Sequence, residues 1–195
     1  MFIALLGINQ IGKSTQIEML KKHYADLNIR AMFLKYPLYD FPPTGPRILA
    51  AFKQGNPETL SPSEIQKLCA QNRRDFEPEL RKLISGNDIV LAENYTGSGL
   101  AFGMSDGLER EFLEGINRDL LEPDLSILLD GERFMEAKEA GHYFEENPEK
   151  EERARAMHLV LARELGWHIL KANRPVEEVN EDIFRLIHLK NEMHA

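Results

Sequence analysis

The stretch that decides the fold is GINQIGKST, residues 7–15, which matches the phosphate-binding pattern GxxxxGK[ST] at every fixed position. It follows the apolar run Phe2–Leu6 and leads into the helical pattern 14–24, which is the strand–loop–helix context that the motif requires. Backbone N–H groups of such a loop converge on one point, and the helix N-terminus adds partial positive charge there. We therefore predict a nucleoside triphosphate site built from Gly7, Asn9, Gln10, Ile11, Gly12, Lys13, Ser14 and Thr15.

Two side chains of this loop carry chemistry of their own. Lys13 would reach the β- and γ-phosphates, and the Ser14 hydroxyl would ligate Mg²⁺. The alternative is a glycine-rich turn with a solvated lysine. The strand before the loop and the helix after it favour phosphate binding.

Short apolar runs alternate with longer amphipathic stretches along the chain. The strand candidates are Phe2–Leu6, Ala31–Lys35, 88–92, 125–129 and His168–Lys171. The third and fourth are almost wholly apolar, as is typical of parallel strands that helices cover on both faces. The pattern predicts an α/β fold with a doubly wound parallel sheet and helices on both faces.

The best-marked helix should run over 62–85. Ser61 is a suitable N-cap, Glu64 completes a capping box, and Gly86 fits the C-terminal cap. The later segment 132–155 is dense in charge and is interrupted by glycine and proline. It is either a solvated helical pair or a mobile lid over a phosphate site, and composition leaves both open.

Composition limits the classes of partner. Acidic residues outnumber basic ones, 32 to 24, and the formal net charge is −8, so we expect neither a nucleic-acid polymer nor a membrane as a partner. The length of 195 residues suits one domain. The single Cys69 excludes an intramolecular disulfide and fits a cytoplasmic location, and the N-terminal apolar run is too short for a signal peptide.

Seven groups of residues, in order along the chain, resemble sequence features of the thymidylate (dTMP) kinase family. Together they cover essentially the whole chain, and the ordered set is more specific than the phosphate-binding loop alone. The groups are GKSTQ at 12–16; Tyr36-Pro37; Asn72-Arg73 followed by Pro78; Glu93-Asn94-Tyr95 followed by Ser98-Gly99 and Ala101-Phe102; Pro123-Asp124-Leu125 before a strand ending in Leu129-Asp130; Gly141, Asn147 and Arg153; and Ala172-Asn173 before the pattern 176–183.

The resemblance implies an activity and an architecture. Members of this family transfer the γ-phosphoryl group of ATP to the 5′-phosphate of dTMP, with Mg²⁺. They are usually homodimers, with a five-stranded parallel sheet of the P-loop NTPase type and a lid, which here would span about 132–155. We therefore expect ATP and Mg²⁺ as cofactors and a small nucleotide as the substrate.

The resemblance also implies roles for single positions. Glu93 should lie near Ser14, hold Mg²⁺ and orient the acceptor oxygen, whereas Arg73 should face the acceptor base. Asn173 and Arg174 should border the ATP adenine, although a turn would also explain them. Phe102 and Gly99 should touch the deoxyribose, although a place in the core would explain Phe102 nearly as well. The substrate residues expected in all are Tyr36, Arg47, Cys69, Arg73, Asn94, Tyr95, Gly99 and Phe102.

The chain departs from the family pattern at several of these places. Three departures remove arginines that would contact phosphate oxygens. Losing two charge-assisted hydrogen bonds at an acceptor phosphate would cost about 3–6 kcal/mol. The departures are Asn9 for an aspartate, Gln10 for an arginine or glycine, Glu93-Asn94 for Asp-Arg, Leu38-Tyr39 for an arginine, Cys69 for a stacking aromatic and Phe144 for a lid arginine.

These departures leave three hypotheses. Other cations replace the missing arginines, with Arg47 the first candidate and Lys35, Arg153 and Arg155 the next. Alternatively, the acceptor is a deoxynucleoside, as in kinases that resemble this family and carry a glutamate at position 93; a neutral hydroxyl tolerates the loss of phosphate-binding arginines. The third hypothesis is a nucleotide-binding sensor or scaffold without phosphoryl transfer.

Overall fold

The sheet consists of the parallel strands β1 (Phe2–Leu6), β2 (Ala31–Lys35), β3 (Ile89–Glu93), β4 (Leu125–Asp130) and β5 (His168–Lys171). The structure is a computed structural model that describes residues 1–134 and 148–192. The strand order is β2-β3-β1-β4-β5, so the strand that leads into the phosphate-binding loop lies at the centre. The predicted five-stranded, doubly wound parallel sheet is confirmed.

Helices cover both faces of the sheet. They are α1 (Lys13–Asp26), α2 (Thr44–Lys53), α3 (Pro62–Gly86), α4 (Thr96–Ser105), α5 (Arg110–Ile116), α6 (Pro148–Glu164) and α7 (Val176–Glu192). Within the described ranges, no helix combines the length and the apolar character that crossing a bilayer requires.

Alternate residues of the central strand enter two separate cores. Ile3 and Leu5 belong to the core that contains Leu20 of α1 and Ile183 of α7. The neighbouring positions belong to the opposite core, whose buried members include Phe2, Ala4, Leu6, Leu80, Val90, Tyr95 and Ala162. Since both faces of β1 are buried, its sequence is continuously apolar rather than alternating.

Element boundaries differ slightly from the predicted ones. Strand β3 begins and ends one residue later than expected, so Glu93 is its last residue instead of the residue after it. The capping box of Ser61 and Glu64 is present on α3. Gly86, however, is the last helical residue, and Asn87 is the C-terminal cap. The side-chain amide of Asn87 donates to the Leu83 carbonyl at 2.8 Å.

The predicted lid, 132–155, falls only partly on described residues. Positions 135–147 lie outside them, including Gly141, Phe144 and Asn147, to which sequence analysis assigned roles. The part from 148 onward belongs to α6. That helix is tied to the end of α4 by a buried ion pair in which the Lys150 ammonium lies 2.5 Å from the Asp106 carboxylate.

Candidate active site

One cavity of about 660 Å³ runs from the phosphate-binding loop to helices α3 and α4. It lies at the carboxyl ends of β1 and β3, where ligands bind in open α/β sheets. The predicted site residues in its lining are Asn9, Gln10, Ile11, Gly12, Lys13, Ser14, Thr15, Tyr36, Cys69, Arg73, Glu93, Asn94, Gly99, Phe102 and Arg174.

Glycines at both ends of the loop permit its backbone path. Gly7 has φ 141°, and a Cβ there would lie 2.6 Å from the Leu129 carbonyl oxygen. Gly12 has φ 92° and immediately precedes α1. Because side chains are disfavoured at both angles, the loop can wrap closely around a ligand only with glycine at these positions.

Lys13 is turned back onto the loop that carries it. Its ammonium donates to the carbonyl oxygens of Gly7 at 2.9 Å and Ile8 at 2.7 Å. The side chain is only 4 % exposed, and burial lowers its pKa to about 8. A buried cation held by neutral carbonyls would be stabilised by an anion, so this position favours phosphate.

Ser14 and Glu93 meet beside Lys13, as sequence analysis expected. The parallel pairing of β1 with β3 sets Glu93 opposite Leu5, one strand away from the loop. The Ser14 hydroxyl donates to Glu93 Oε2 at 2.9 Å, and the Lys35 ammonium lies 3.1 Å from Oε1. A hydroxyl and a carboxylate are oxygen ligands of the kind that Mg²⁺ prefers, so the residues present fit that ion.

Arg73 forms the far end of the cavity. Its guanidinium is 4 % exposed and donates to Asn117 Oδ1 at 3.0 Å and to the Tyr95 carbonyl at 3.1 Å. A Cβ at position 99 would lie 2.8 Å from its Nη2 atom, so Gly99 makes room for the guanidinium. Among the residues that the structure describes, the buried Arg73 Nε atom has no hydrogen-bond partner, which leaves a donor at this end.

The lining also contains residues that sequence analysis missed. They include Gln16, Tyr39, Phe52, Lys53, Gln66, Ser98 and Phe134. A signal for one of them existed, because Gln66, Cys69 and Arg73 follow the spacing of one helical face. Tyr39 and Lys53 meet only in the folded chain, where the ammonium lies 5.8 Å from the ring centre.

Four predicted site residues do not line the cavity. The Gly7 carbonyl accepts a hydrogen bond from the Lys13 ammonium. Tyr95 is buried between Phe2 and Tyr36, and its ring centre lies 5.1 Å from the centre of each of their rings. The Asn173 side chain is joined to the backbone of Glu132, by hydrogen bonds of 2.6 and 2.9 Å.

Arg47 is the fourth of these residues. Its guanidinium donates to both carboxylate oxygens of Glu58, at 3.0 and 2.7 Å, on the exposed side of α2. This corrects the placement of Arg47 as the first replacement for a missing arginine. Arg155 is similarly engaged, with its Nε atom 2.7 Å from Asp130 Oδ1.

His158 is a buried neutral histidine next to the cavity wall. It is 1 % exposed, its Nδ1 atom lies 2.8 Å from the Ala154 carbonyl oxygen, and its ring packs edge-on against Phe102 at 5.3 Å. Burial lowers its pKa to about 4, and the nearby charge of Lys13 acts in the same direction.

This burial predicts a stability loss in acid. His158 protonates in the unfolded chain first, so the loss begins below pH 6.5 and is complete below the folded pKa of about 4. It should reach about 3 kcal/mol. Urea unfolding between pH 7 and pH 4.5 should therefore show a steeper fall for the wild type than for His158→Gln. Parallel curves for the two proteins would contradict the prediction.

Comparison with known proteins gives a consistent result. A sequence profile described as thymidylate kinase matches residues 6–183. The chain is 25% identical to the thymidylate kinase of Dictyostelium discoideum, covering 94% of this chain and 82% of that protein. It is 31% identical to a probable thymidylate kinase of Pyrobaculum aerophilum, covering 95% of each. The solved structure of a thymidylate kinase from Candida albicans superposes with a TM-score of 0.78 at 20% identity, covering 97% of this chain and 92% of that one.

Proposed function

The chain belongs to the thymidylate kinase family of nucleotide kinases, and we propose that it transfers the γ-phosphoryl group of ATP to the 5′-phosphate of dTMP in the presence of Mg²⁺. The observation that carries this proposal is the single cavity that joins the phosphate-binding loop to the Arg73 end. Ser14 and Glu93, which are joined by a hydrogen bond, both line this cavity. A donor bound at the loop and an acceptor at α3 would therefore face each other through their phosphates.

Each residue has a defined task in this proposal. The loop N–H groups and Lys13 would hold the donor phosphates and balance their charge. Ser14 and Glu93 would hold Mg²⁺, which supplies further charge neutralisation at the phosphate oxygens when it is bound. No covalent intermediate is required, because the transfer relies on positioning and electrostatics.

Two lysines in the cavity lining support a monophosphate as the acceptor. Lys35 lies beside Glu93, and Lys53 lies beside Tyr39. A 5′-phosphate would gain from them the charge that the missing family arginines would supply, whereas a neutral 5′-hydroxyl would not. Arg73 offers donors suited to a base carbonyl, since guanidinium groups have donors and no acceptor.

A deoxynucleoside kinase is the second candidate. It is favoured by the pairing of Lys35 with Glu93 at 3.1 Å, which already occupies one of the cations that an acceptor phosphate would use. A hydroxyl acceptor would lose nothing from that pairing. The binding-only hypothesis has less support, because Lys13 and the Ser14–Glu93 contact retain the groups that transfer needs.

An acceptor panel tests these possibilities. The protein is incubated with ATP and Mg²⁺ against the deoxynucleoside monophosphates and the free deoxynucleosides, and new phosphorylated products are quantified. We expect dTDP to form with a kcat/KM about tenfold or more above that of the other acceptors. Products from nucleosides alone would support the second candidate, and ATP binding without any product would overturn both.

The remaining features stay predictions from the sequence. Small nucleotides are the proposed ligands, in keeping with the net charge of −8, which disfavours nucleic acid and anionic membrane surfaces. A homodimer and a cytoplasmic location are proposed from the family resemblance and from the single Cys69. That thiol is buried, which raises its pKa to about 11 and keeps it protonated.

A further inference from the structure

The cations described around the phosphate-binding loop are mostly committed to oxygen atoms of the protein. Lys35 pairs with Glu93 at 3.1 Å, Arg155 with Asp130 at 2.7 Å, and Arg174 with Asp182 at 2.6 Å. A carboxylate partner offsets most of the charge that a cation can offer to a phosphate. The transferring phosphoryl group would thus receive full positive charge from few side chains besides Lys13.

Arg133 is held differently. Its Nε and Nη2 atoms donate to Oε1 of Gln10 at 3.3 and 2.8 Å. The next residue reinforces this placement, since the Phe134 backbone N–H donates to the Gln10 carbonyl at 3.0 Å. The segment after β4 therefore lies against the middle of the phosphate-binding loop, although Arg133 is far from that loop in sequence.

The partner of Arg133 is neutral. In the ranges 1–134 and 148–192, no carboxylate lies within ion-pair distance of its guanidinium. An amide oxygen can orient a guanidinium without cancelling its charge, and a guanidinium retains further donors after giving two to one acceptor. Gln10 itself lines the cavity.

We propose that Arg133 is a phosphate-binding residue of this kinase, positioned at the phosphate-binding loop by Gln10. The inference rests on the proposed function, because it requires a nucleoside triphosphate on the loop. It gives Gln10, a departure from the family pattern, a positive role: the glutamine holds an arginine that comes from another part of the chain.

The main test is Arg133→Gln, with Arg163→Gln as a matched control. Arg163 is an exposed arginine in the last turn of α6. Removing one charge-assisted phosphate contact should lower kcat about 10- to 100-fold and weaken ATP binding to a similar degree. AMP binding should not change, because AMP lacks the β- and γ-phosphates. Arg163→Gln should keep the kcat and ATP affinity of the wild type. The melting temperature of both variants should also equal that of the wild type.

A double-variant cycle tests the positioning by Gln10. Gln10→Ala should lower kcat less than Arg133→Gln, and the double variant should be no worse than Arg133→Gln alone, because the glutamine acts through the arginine. Arg133→Lys should recover part of the activity, since it restores the charge without the planar geometry.

Two results would overturn the inference. One is an Arg133→Gln protein whose kcat and ATP affinity both stay within about twofold of the wild type. The other is an equal loss of ATP and AMP affinity, which would indicate a structural role. A wild-type protein that binds ATP but phosphorylates no acceptor would refute the proposed function, and the ATP and AMP affinities would then still decide the role of Arg133.

Discussion

Replacing Lys13 by methionine should abolish phosphoryl transfer and also make the nucleotide-free protein more stable. The loss of activity should be about 10³-fold, as expected when a preorganised charge on the transferring group is removed. The gain in stability follows from burial, because the ammonium is 4 % exposed and donates its hydrogen bonds to the neutral carbonyls of Gly7 and Ile8. Methionine fills a similar volume without carrying a charge.

The size of the stability effect follows from the pKa of Lys13. Lowering the pKa from 10.5 to about 8 corresponds to about 3 kcal/mol of unfavourable burial at neutral pH. The variant also leaves the Gly7 and Ile8 carbonyls without their donor, so the net gain should be about 1–2 kcal/mol. For a chain of this size, the melting temperature should rise by about 2–6 °C.

The stability difference between the wild type and Lys13→Met should depend on pH in a defined direction. The unfavourable contribution of Lys13 is complete below the folded pKa of about 8 and disappears as the pH rises toward 10.5. In urea unfolding, the stability advantage of Lys13→Met over the wild type should therefore be largest at pH 7 and should be lost by about pH 10. Lys22→Met, an exposed change on the same helix, serves as the control. Retained transfer in Lys13→Met would refute the assigned role, and a lower melting temperature would refute the charge-burial argument.

Replacing Glu93 by glutamine should have the second-largest effect. The change preserves shape and the contact with the Ser14 hydroxyl, at 2.9 Å, but removes the negative charge. We expect kcat to fall by about 10²–10³-fold and the Mg²⁺ concentration for half-maximal rate to rise. The charge of Glu93 also raises the pKa of Lys13, so the variant should weaken the protonation of that lysine too.

The measurement is a Mg²⁺ titration of the initial rate for the wild type, Glu93→Gln and Glu58→Gln. Glu58 is the matched control, because its carboxylate pairs with Arg47 outside the cavity. Its variant should behave like the wild type. An unchanged Mg²⁺ requirement in Glu93→Gln would remove this carboxylate from the proposed metal site.

Local sequence patterns predicted most of the fold and the course of the glycine-rich loop. The glycine-bracketed loop, the apolar strands and the capping box of Ser61 and Glu64 each depend on residues within a few positions of one another. The nearness of Glu93 to Ser14 was expected from the family resemblance, which implies that β3 adjoins β1, and adjoining parallel strands end at the same edge of a sheet.

Contacts between distant segments were not predictable in this way. The sequence predicts Arg47 as a phosphate-binding residue, but in the folded chain its guanidinium donates to the Glu58 carboxylate. Arg133 lies in a charged segment that resembles a solvated surface, and only the path of the chain after β4 brings it to Gln10. The function of an arginine depends on which oxygen atom its guanidinium contacts, and composition does not specify that partner.

The close approach of Gly99 to the Arg73 guanidinium also constrains how this protein can evolve. The Nη2 atom lies 2.8 Å from where a methyl group would begin, so any larger residue at position 99 requires the arginine side chain to shift. The tolerance of position 99 is therefore coupled to the placement of Arg73. A substitution on α4 would move the guanidinium on α3, and with it the end of the cavity that α3 forms.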